Sequence, residues 1–142
     1  MYFGNPITNF NIYVMGTLND FDFSGKVILI VEDTETSNRF YNAALSRTNA
    51  KLLWALDGEE ALVKLNEHKD IDVVLLDLNL PGISGFDVLK NIRKNDKKLA
   101  VIVQTAYVLS GEEAACYELG ANDFITKPIM LDQLLTSLKK YL

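Results

Sequence analysis

Two kinds of hydrophobic pattern take turns along this chain. Short unbroken apolar runs alternate with stretches in which apolar residues recur every three or four positions. Residues 26–31 read Lys-Val-Ile-Leu-Ile-Val and stop at Glu32-Asp33. A β-branched run bounded by charge predicts a buried strand. Residues 36–47 have helical spacing, with Phe40 and Ala44 on one face, and residues 51–55 form a second short strand. Asp57-Gly-Glu-Glu60 has the capping-box spacing and opens a helix whose inward positions are Ala61, Leu62 and Leu65. Residues 73–76 predict a third strand ending at Asp77. Pro81, Gly82 and Gly85 interrupt the chain before a helix bearing Phe86, Val88, Leu89 and Ile92. A fourth strand over 99–103 ends near Thr105. Ser110-Gly-Glu-Glu113 repeats the box spacing ahead of a helix that stops at Gly120. Residues 123–126 form a fifth strand ending at Lys127-Pro128, and 131–141 a last helix with Leu134, Leu135 and Leu138 facing inward.

These are five strand–helix units. Continuous apolar strands flanked by helices imply a parallel sheet covered on both faces. With right-handed crossovers, the expectation is a doubly wound, flavodoxin-like α/β fold with strand order 2-1-3-4-5. Residues 1–24 differ from the rest. They contain no Lys or Arg and, with six of the fourteen aromatic residues, are expected to be an extension or linker ahead of a domain at 25–142. Alternation over residues 10–14 predicts a short strand there.

Composition narrows the chemistry. The chain has 142 residues, 49% of them hydrophobic, which suits one core. A net charge of −5 with no basic cluster argues against nucleic acid as a partner. No apolar run is long enough to cross a bilayer; the expectation is a cytoplasmic domain with no direct membrane contact of its own, open to tethering to a membrane sensor through a parent chain. One cysteine, Cys116, and one histidine, His68, exclude a disulfide framework and a Cys/His zinc site.

In an open parallel sheet, ligands gather beyond the carboxyl ends of the strands, at the switch between strands 1 and 3. Glu32 and Asp33 end strand 1 and Asp77 ends strand 3. Crowded carboxylates are costly unless a cation joins them, and hard oxygen donors with open positions suit Mg²⁺. Thr105 and Lys127 end strands 4 and 5 on the same rim. A metal site, a carboxylate nucleophile, a hydroxyl and a fixed cation fit phosphoryl transfer to Asp77.

The stretches Ile28-Leu-Ile-Val-Glu-Asp33, Val74-Leu-Leu-Asp-Leu-Asn-Leu-Pro-Gly82, Gln104-Thr-Ala-Tyr107 and Gly120-Ala-Asn-Asp-Phe-Ile-Thr-Lys-Pro-Ile129 resemble the receiver domain of two-component response regulators. The resemblance covers residues 25–142. It implies that Asp77 is the phosphoacceptor. It further implies that Asp33, Asp77 and the Asn79 backbone carbonyl bind Mg²⁺ directly, with Glu32 acting through water. Thr105 and Lys127 would hold phosphoryl oxygens, Ala106 would leave room for them, and the Lys127-Pro128 bond would be cis. Partners would be a phosphohistidine domain of a histidine kinase or a histidine phosphotransfer protein. Such a domain catalyses only its own phosphorylation and dephosphorylation.

Two positions depart from the family pattern. Phe124 stands where many members carry a switch tyrosine, leaving an inward aromatic swing but no hydroxyl hydrogen bond. Hybrid-kinase members often carry Asn four residues after the acidic pair. Here Ser37 is there and Asn38 follows. The 104–107 segment and the ending otherwise look like receivers of hybrid sensor histidine kinases, and residues 8–13 resemble the final strand of a kinase ATP-binding domain. The alternatives are a stand-alone single-domain regulator and a non-phosphorylated interaction module. On the first helix, Phe40 and Tyr41 are candidates for core and partner contact respectively, the other reading being that Tyr41 merely covers the sheet. Phosphate-cradling folds fit poorly, because Glu32-Asp33 would repel phosphate and no G-x-x-x-x-G-K-[ST] motif is present.

Overall fold

The computed structural model describes residues 21–106 and 110–142. The strand expected at 10–14, the kinase-like segment 8–13 and Tyr107 lie outside these residues. The element order is β1 (Val27–Val31), α1 (Glu35–Leu45), a 3₁₀ turn (Ser46–Thr48), β2 (Lys51–Ala55), α2 (Gly58–Glu67), β3 (Val73–Asp77), α3 (Gly85–Asn95), β4 (Ala100–Thr105), α4 (Glu112–Glu118), β5 (Asp123–Thr126) and α5 (Leu131–Tyr141). All strand pairs are parallel, in the order β2-β1-β3-β4-β5, as the alternation of patterns predicts.

Side chains alternate across each strand, so every strand feeds two cores. Leu29, Val31, Val74, Leu76, Val101 and Val103 face the layer of α2, α3 and α4, where Ala61, Val88, Leu89 and Cys116 meet them. Ile28, Ile30, Val73, Leu75 and Ile102 face α1 and α5, against Tyr41, Leu45, Leu134, Leu135 and Leu138. Three strands buried on both faces explain why β1, β3 and β4 read as unbroken apolar runs.

The boundaries depart from expectation in instructive ways. The packed unit reaches back past Gly25: Phe21 and Phe23 join the α1–α5 core, and the Phe23 N–H donates to the Thr48 carbonyl. Of the two readings of Tyr41, the one in which it covers the sheet holds, and Phe40 packs against the same core only in part. Tyr41 is 1% exposed and belongs to the core, while Phe40 is half-buried, because α1 begins at Glu35 and sets the buried face at Tyr41, Ala44 and Leu45. The Asp57 cap forms, accepting from the Glu60 N–H at 2.8 Å, but the Glu60 carboxylate reaches past it to the Leu56 N–H at 2.6 Å. The second box does not form. α4 starts after Gly111, which holds φ at 83°, so the cap lies one residue beyond Ser110 and Ala114, not a glutamate, occupies the third helical position. α4 ends as expected: Gly120 has φ 105°, its N–H reaches the Tyr117 carbonyl, and the Ala121 N–H reaches that of Cys116.

Ser84, unmarked in the sequence reading, caps α3 by accepting from the Asp87 N–H. The next residue, Gly85, brings α3 hard against the end of β3. A Cβ there would lie 2.4 Å from the Asp77 carbonyl oxygen and 2.6 Å from Leu78 Cα. Those are backbone atoms and cannot step aside. Gly85→Ala should therefore destabilise the domain by about 1–3 kcal/mol, the usual range for overpacking, although alanine is the better helix former by about 1 kcal/mol. A thermal melt at or above the wild-type midpoint would contradict this close approach.

Candidate functional site

Strand alternation decides which chains of side chains meet at the carboxyl rim. Val31 pairs with Leu76, so Glu32 and Asp77 follow side by side at the ends of β1 and β3. Both continue the α1–α5 face of their strands, as does Lys127 just past β5. The three meet. Lys127 Nζ donates to Glu32 Oε1 and lies 3.3 Å from Asp77 Oδ2. The Lys127-Pro128 peptide is cis, as the family resemblance implies.

Each carboxylate is also held by other donors. Glu32 is fully buried, and its second oxygen, Oε2, accepts from the Thr34 N–H at 3.0 Å and the Thr34 hydroxyl at 3.1 Å. That diversion of Thr34 is why it flanks α1 without capping it. Asn38 Nδ2 donates to the Glu32 carbonyl at 2.9 Å, tying α1 to the end of β1. Asp77 is 4% exposed and its Oδ1 accepts from the Asn79 N–H at 3.0 Å. Asp33 is exposed.

The electrostatics separate these groups. Burial works to raise the Glu32 carboxyl, but the hydrogen bonds from Lys127 and Thr34 outweigh it and hold the group below the ordinary glutamate range. Burial dominates at Asp77 and raises it, in spite of the Asn79 N–H and the Lys127 charge. Burial also opposes the Lys127 charge, yet its bonds to Glu32 and Asp77 leave the ammonium held more tightly than usual. Under the rim, the Tyr41 hydroxyl is held protonated by burial and by the charges of Glu32 and Asp77.

A divalent cation fits this rim. Glu32, Asp33 and Asp77 each present a carboxylate oxygen, all within 4.8 Å of one another. Both oxygens of Glu32 and both of Asp77 already accept from protein donors, and Asp33 is the exposed carboxylate of the three. Thr105 is fully buried at the end of β4, and Ala106 is exposed beside it. Phe124 is 8% exposed and packed into the α2–α4 core, so its ring already occupies the inward position expected of it only after a swing. The lone histidine, His68, lies at the opposite end of the sheet, in a cleft of about 400 Å³ between α2 and α3 that Leu65, Asn91 and Asn95 also line. The sequence reading missed Thr34, Tyr41 and Gln104 as neighbours of the site. No spacing rule marks them, since their relevance comes from the register of strands and the facing helix.

The five-stranded parallel sheet, its acidic rim and the cross-strand lysine are the features that the resemblance to receiver domains implies. Residues 28–139 match the family described as the response regulator receiver domain, and the chain belongs to that family. It is 32% identical over 124 residues to the hybrid signal transduction histidine kinase L of Dictyostelium discoideum, covering 82% of this chain and 7% of that protein. It is 30% identical over 119 residues to the polar-differentiation response regulator DivK of Brucella anthropi, covering 82% of this chain and 96% of DivK. Among solved structures, the CheY-like receiver domain protein of Methanospirillum hungatei JF-1 superposes with a TM-score of 0.76 at 25% identity, over 81% of this chain and 91% of that one. Among the described residues, no helix is long and apolar enough to cross a membrane.

The raised Asp77 carboxyl has a stability consequence with a definite sign. The folded state keeps the Asp77 proton to a higher pH than the unfolded chain, whose ordinary value is 3.8. Ionisation of Asp77 therefore subtracts stability as pH rises past that range, and subtracts nothing below it. In chelator-treated protein, Asp77→Asn should raise the melting midpoint at pH 7 by roughly 2–5 °C, as expected for a gain near 1 kcal/mol in a domain of this size. The gain should shrink as pH falls towards about 4 and be absent below it. Melts from pH 3 to 7 showing a pH-independent gain, or a loss at pH 7, would refute the assignment.

Proposed function

We propose that this domain accepts a phosphoryl group from a phosphohistidine onto Asp77, with Mg²⁺, as one step of a two-component phosphorelay. The observation that carries this reading is the setting of Asp77. It is a buried carboxylate between Lys127 and the Asn79 N–H, with two further carboxylates within 4.8 Å. In the transfer, an Asp77 oxygen forms the new bond to phosphorus as the P–N bond to imidazole breaks, and the electron pair stays on the imidazole nitrogen. Asp33, Asp77 and the Asn79 carbonyl would hold Mg²⁺, with Glu32 acting through water. When bound, the ion offsets the charge of the carboxylates and of the incoming phosphoryl group.

Lys127 and Thr105 are assigned to the phosphoryl oxygens, and Ala106 leaves room for them. Thr105 and Phe124 are the switch residues. With the Phe124 ring already inside, the movement falls to Thr105 and the rim, and Phe124 acts as the packing that registers it. The partner is a histidine on a helical protein, because in-line attack brings the imidazole to within about 3–3.5 Å of the acceptor and only the open rim admits it. Nucleic acid is not a proposed partner, and a cytoplasmic location is part of the same reading. Similarity to a hybrid kinase supports placing this domain in a longer chain, with the segment before it as linker. Similarity to DivK, nearly all of which is covered, equally supports a stand-alone regulator.

Incubation with Mg²⁺ and a small phosphodonor such as acetyl phosphate should add one phosphoryl group to the intact protein. Asp77→Asn should add none. An unchanged yield from Asp77→Asn would remove the phosphoacceptor assignment and favour an interaction module. Mg²⁺ affinity separates the acidic pair. Asp33→Ala should weaken binding by on the order of 10-fold or more and Glu32→Ala by less, since a direct ligand contributes more than one acting through water. Equal affinities by calorimetry would contradict the assignment of Asp33 as ligand.

A further inference from the structure

Gln104 is fully buried, and among the described residues neither its Nε2 nor its Oε1 has a hydrogen-bond partner. An unpaired buried amide is more costly than an apolar side chain in its place. Gln104 is thus poorly explained as mere filling of a face otherwise built from Leu75, Ile102 and Ile125.

Its position supplies a reason. In the sheet register Asp77 pairs with Gln104, and Gln104 with Ile125. Alternation along β4 turns Gln104 to the α1–α5 side, the side on which Asp77 and Lys127 also stand. Neighbouring strands are about 4.8 Å apart, so the amide lies within one side-chain length of the carboxylate. Against the free carboxylate it is idle, because Asn79 and Lys127 already serve Asp77.

Phosphorylation changes the demand. One Asp77 oxygen bonds to phosphorus, the donor's own bond to phosphorus breaks, and the electron pair leaves with the donor. The other Asp77 oxygen becomes an acyl carbonyl. The phosphoryl oxygens now compete for Lys127, so the carbonyl keeps at most the Asn79 N–H and has an open acceptor site on its buried side.

We infer that Gln104 is a positioning residue whose buried amide takes up the Asp77 carbonyl oxygen when Asp77 is phosphorylated. An interaction made only as the acyl phosphate forms favours the transition state and product over the free carboxylate. Its loss should therefore show in transfer rate and phosphoryl lifetime, and not in folding. The inference rests on the phosphoacceptor reading.

The test compares the full chain with Gln104→Leu, using acetyl phosphate and Mg²⁺. Three quantities are read: the rate of mass gain, the half-life of the phosphorylated protein, and the melting midpoint of the unphosphorylated protein. The expected result is a transfer rate lower by about 10-fold, the equivalent of one hydrogen bond's worth of barrier. The half-life should change, Mg²⁺ affinity should hold, and the midpoint should be unchanged or higher. Should the leucine variant fail to fold, Gln104→Met, unbranched and close in volume, carries the same comparison. An unchanged rate and half-life in a variant whose midpoint rises would overturn the inference, leaving Gln104 as costly filling. A rate that falls together with the midpoint and Mg²⁺ affinity would overturn it as well, by showing a structural role. If the wild type takes up no phosphoryl group, the phosphoacceptor reading fails and takes this inference with it. If the wild type does and the variant matches it, only this inference fails.

Discussion

One ammonium group placed between two buried carboxylates organises the rim of this domain. Glu32 and Asp77 end adjacent strands and are almost wholly removed from water. Like charges that close, in a poorly hydrated place, are unfavourable without a cation. The cation comes from Lys127, at the end of a strand two places beyond β3 in the sheet. One positive charge against two negative ones leaves the rim short of positive charge. The exposed Asp33 carboxylate lies on the side where a metal ion would supply it.

That meeting depends on register. Because side chains alternate along a strand, a slip of one residue in β5 or β3 would send Lys127 or Asp77 to the opposite face. Packing prevents such slips, since in a strand buried on both faces each slip would exchange side chains fitted to the α1–α5 layer with those fitted to the α2–α4 layer. Packing on both faces thus holds the polar rim in place. The same alternation sorts the site between two layers. Glu32, Asp77, Gln104 and Lys127 face α1 and α5, while Phe124 faces α2, α3 and α4. A charge event on one side of the sheet therefore adjoins packing on the other.

The far end of the same strands is secured differently. Arg93 on α3 donates to the Gly120 carbonyl through Nε and Nη2 and to the Asn122 side chain. Asn122 in turn accepts from the Val101 N–H and, at its carbonyl, from the Tyr141 hydroxyl. Asp123 accepts from Ser137 and pairs with Lys140. These bonds fasten the start of β5 to α3, β4 and α5. The carboxyl end of β5 carries the site, and its start carries the fastening.

Much of this was legible in the sequence, and for definite reasons. Unbroken runs such as 27–31 and 73–76 mark strands buried on both faces, and five strands alternating with helical periods leave one common topology. Strand-end residues Glu32, Asp33, Asp77, Thr105 and Lys127 were legible as a set because the carboxyl ends of parallel strands share one rim. Local signals were less dependable. Ser110 has the right spacing for a cap, but Gly111 turns the chain one residue later. Tyr41 and Phe40 are neighbours of similar character, and only the rotation of α1 against the sheet decides which is buried. Gln104 reads as an ordinary strand residue. Its burial beside Asp77, with both amide atoms unpaired among the described residues, arises from pairing with two other strands and cover by two helices. The sequence by itself determined the sheet and the chemistry at its rim, because periodicity and strand ends are local properties. The tertiary structure alone decided which polar side chains lie beneath that rim, because that depends on register and helix rotation among segments far apart in the chain.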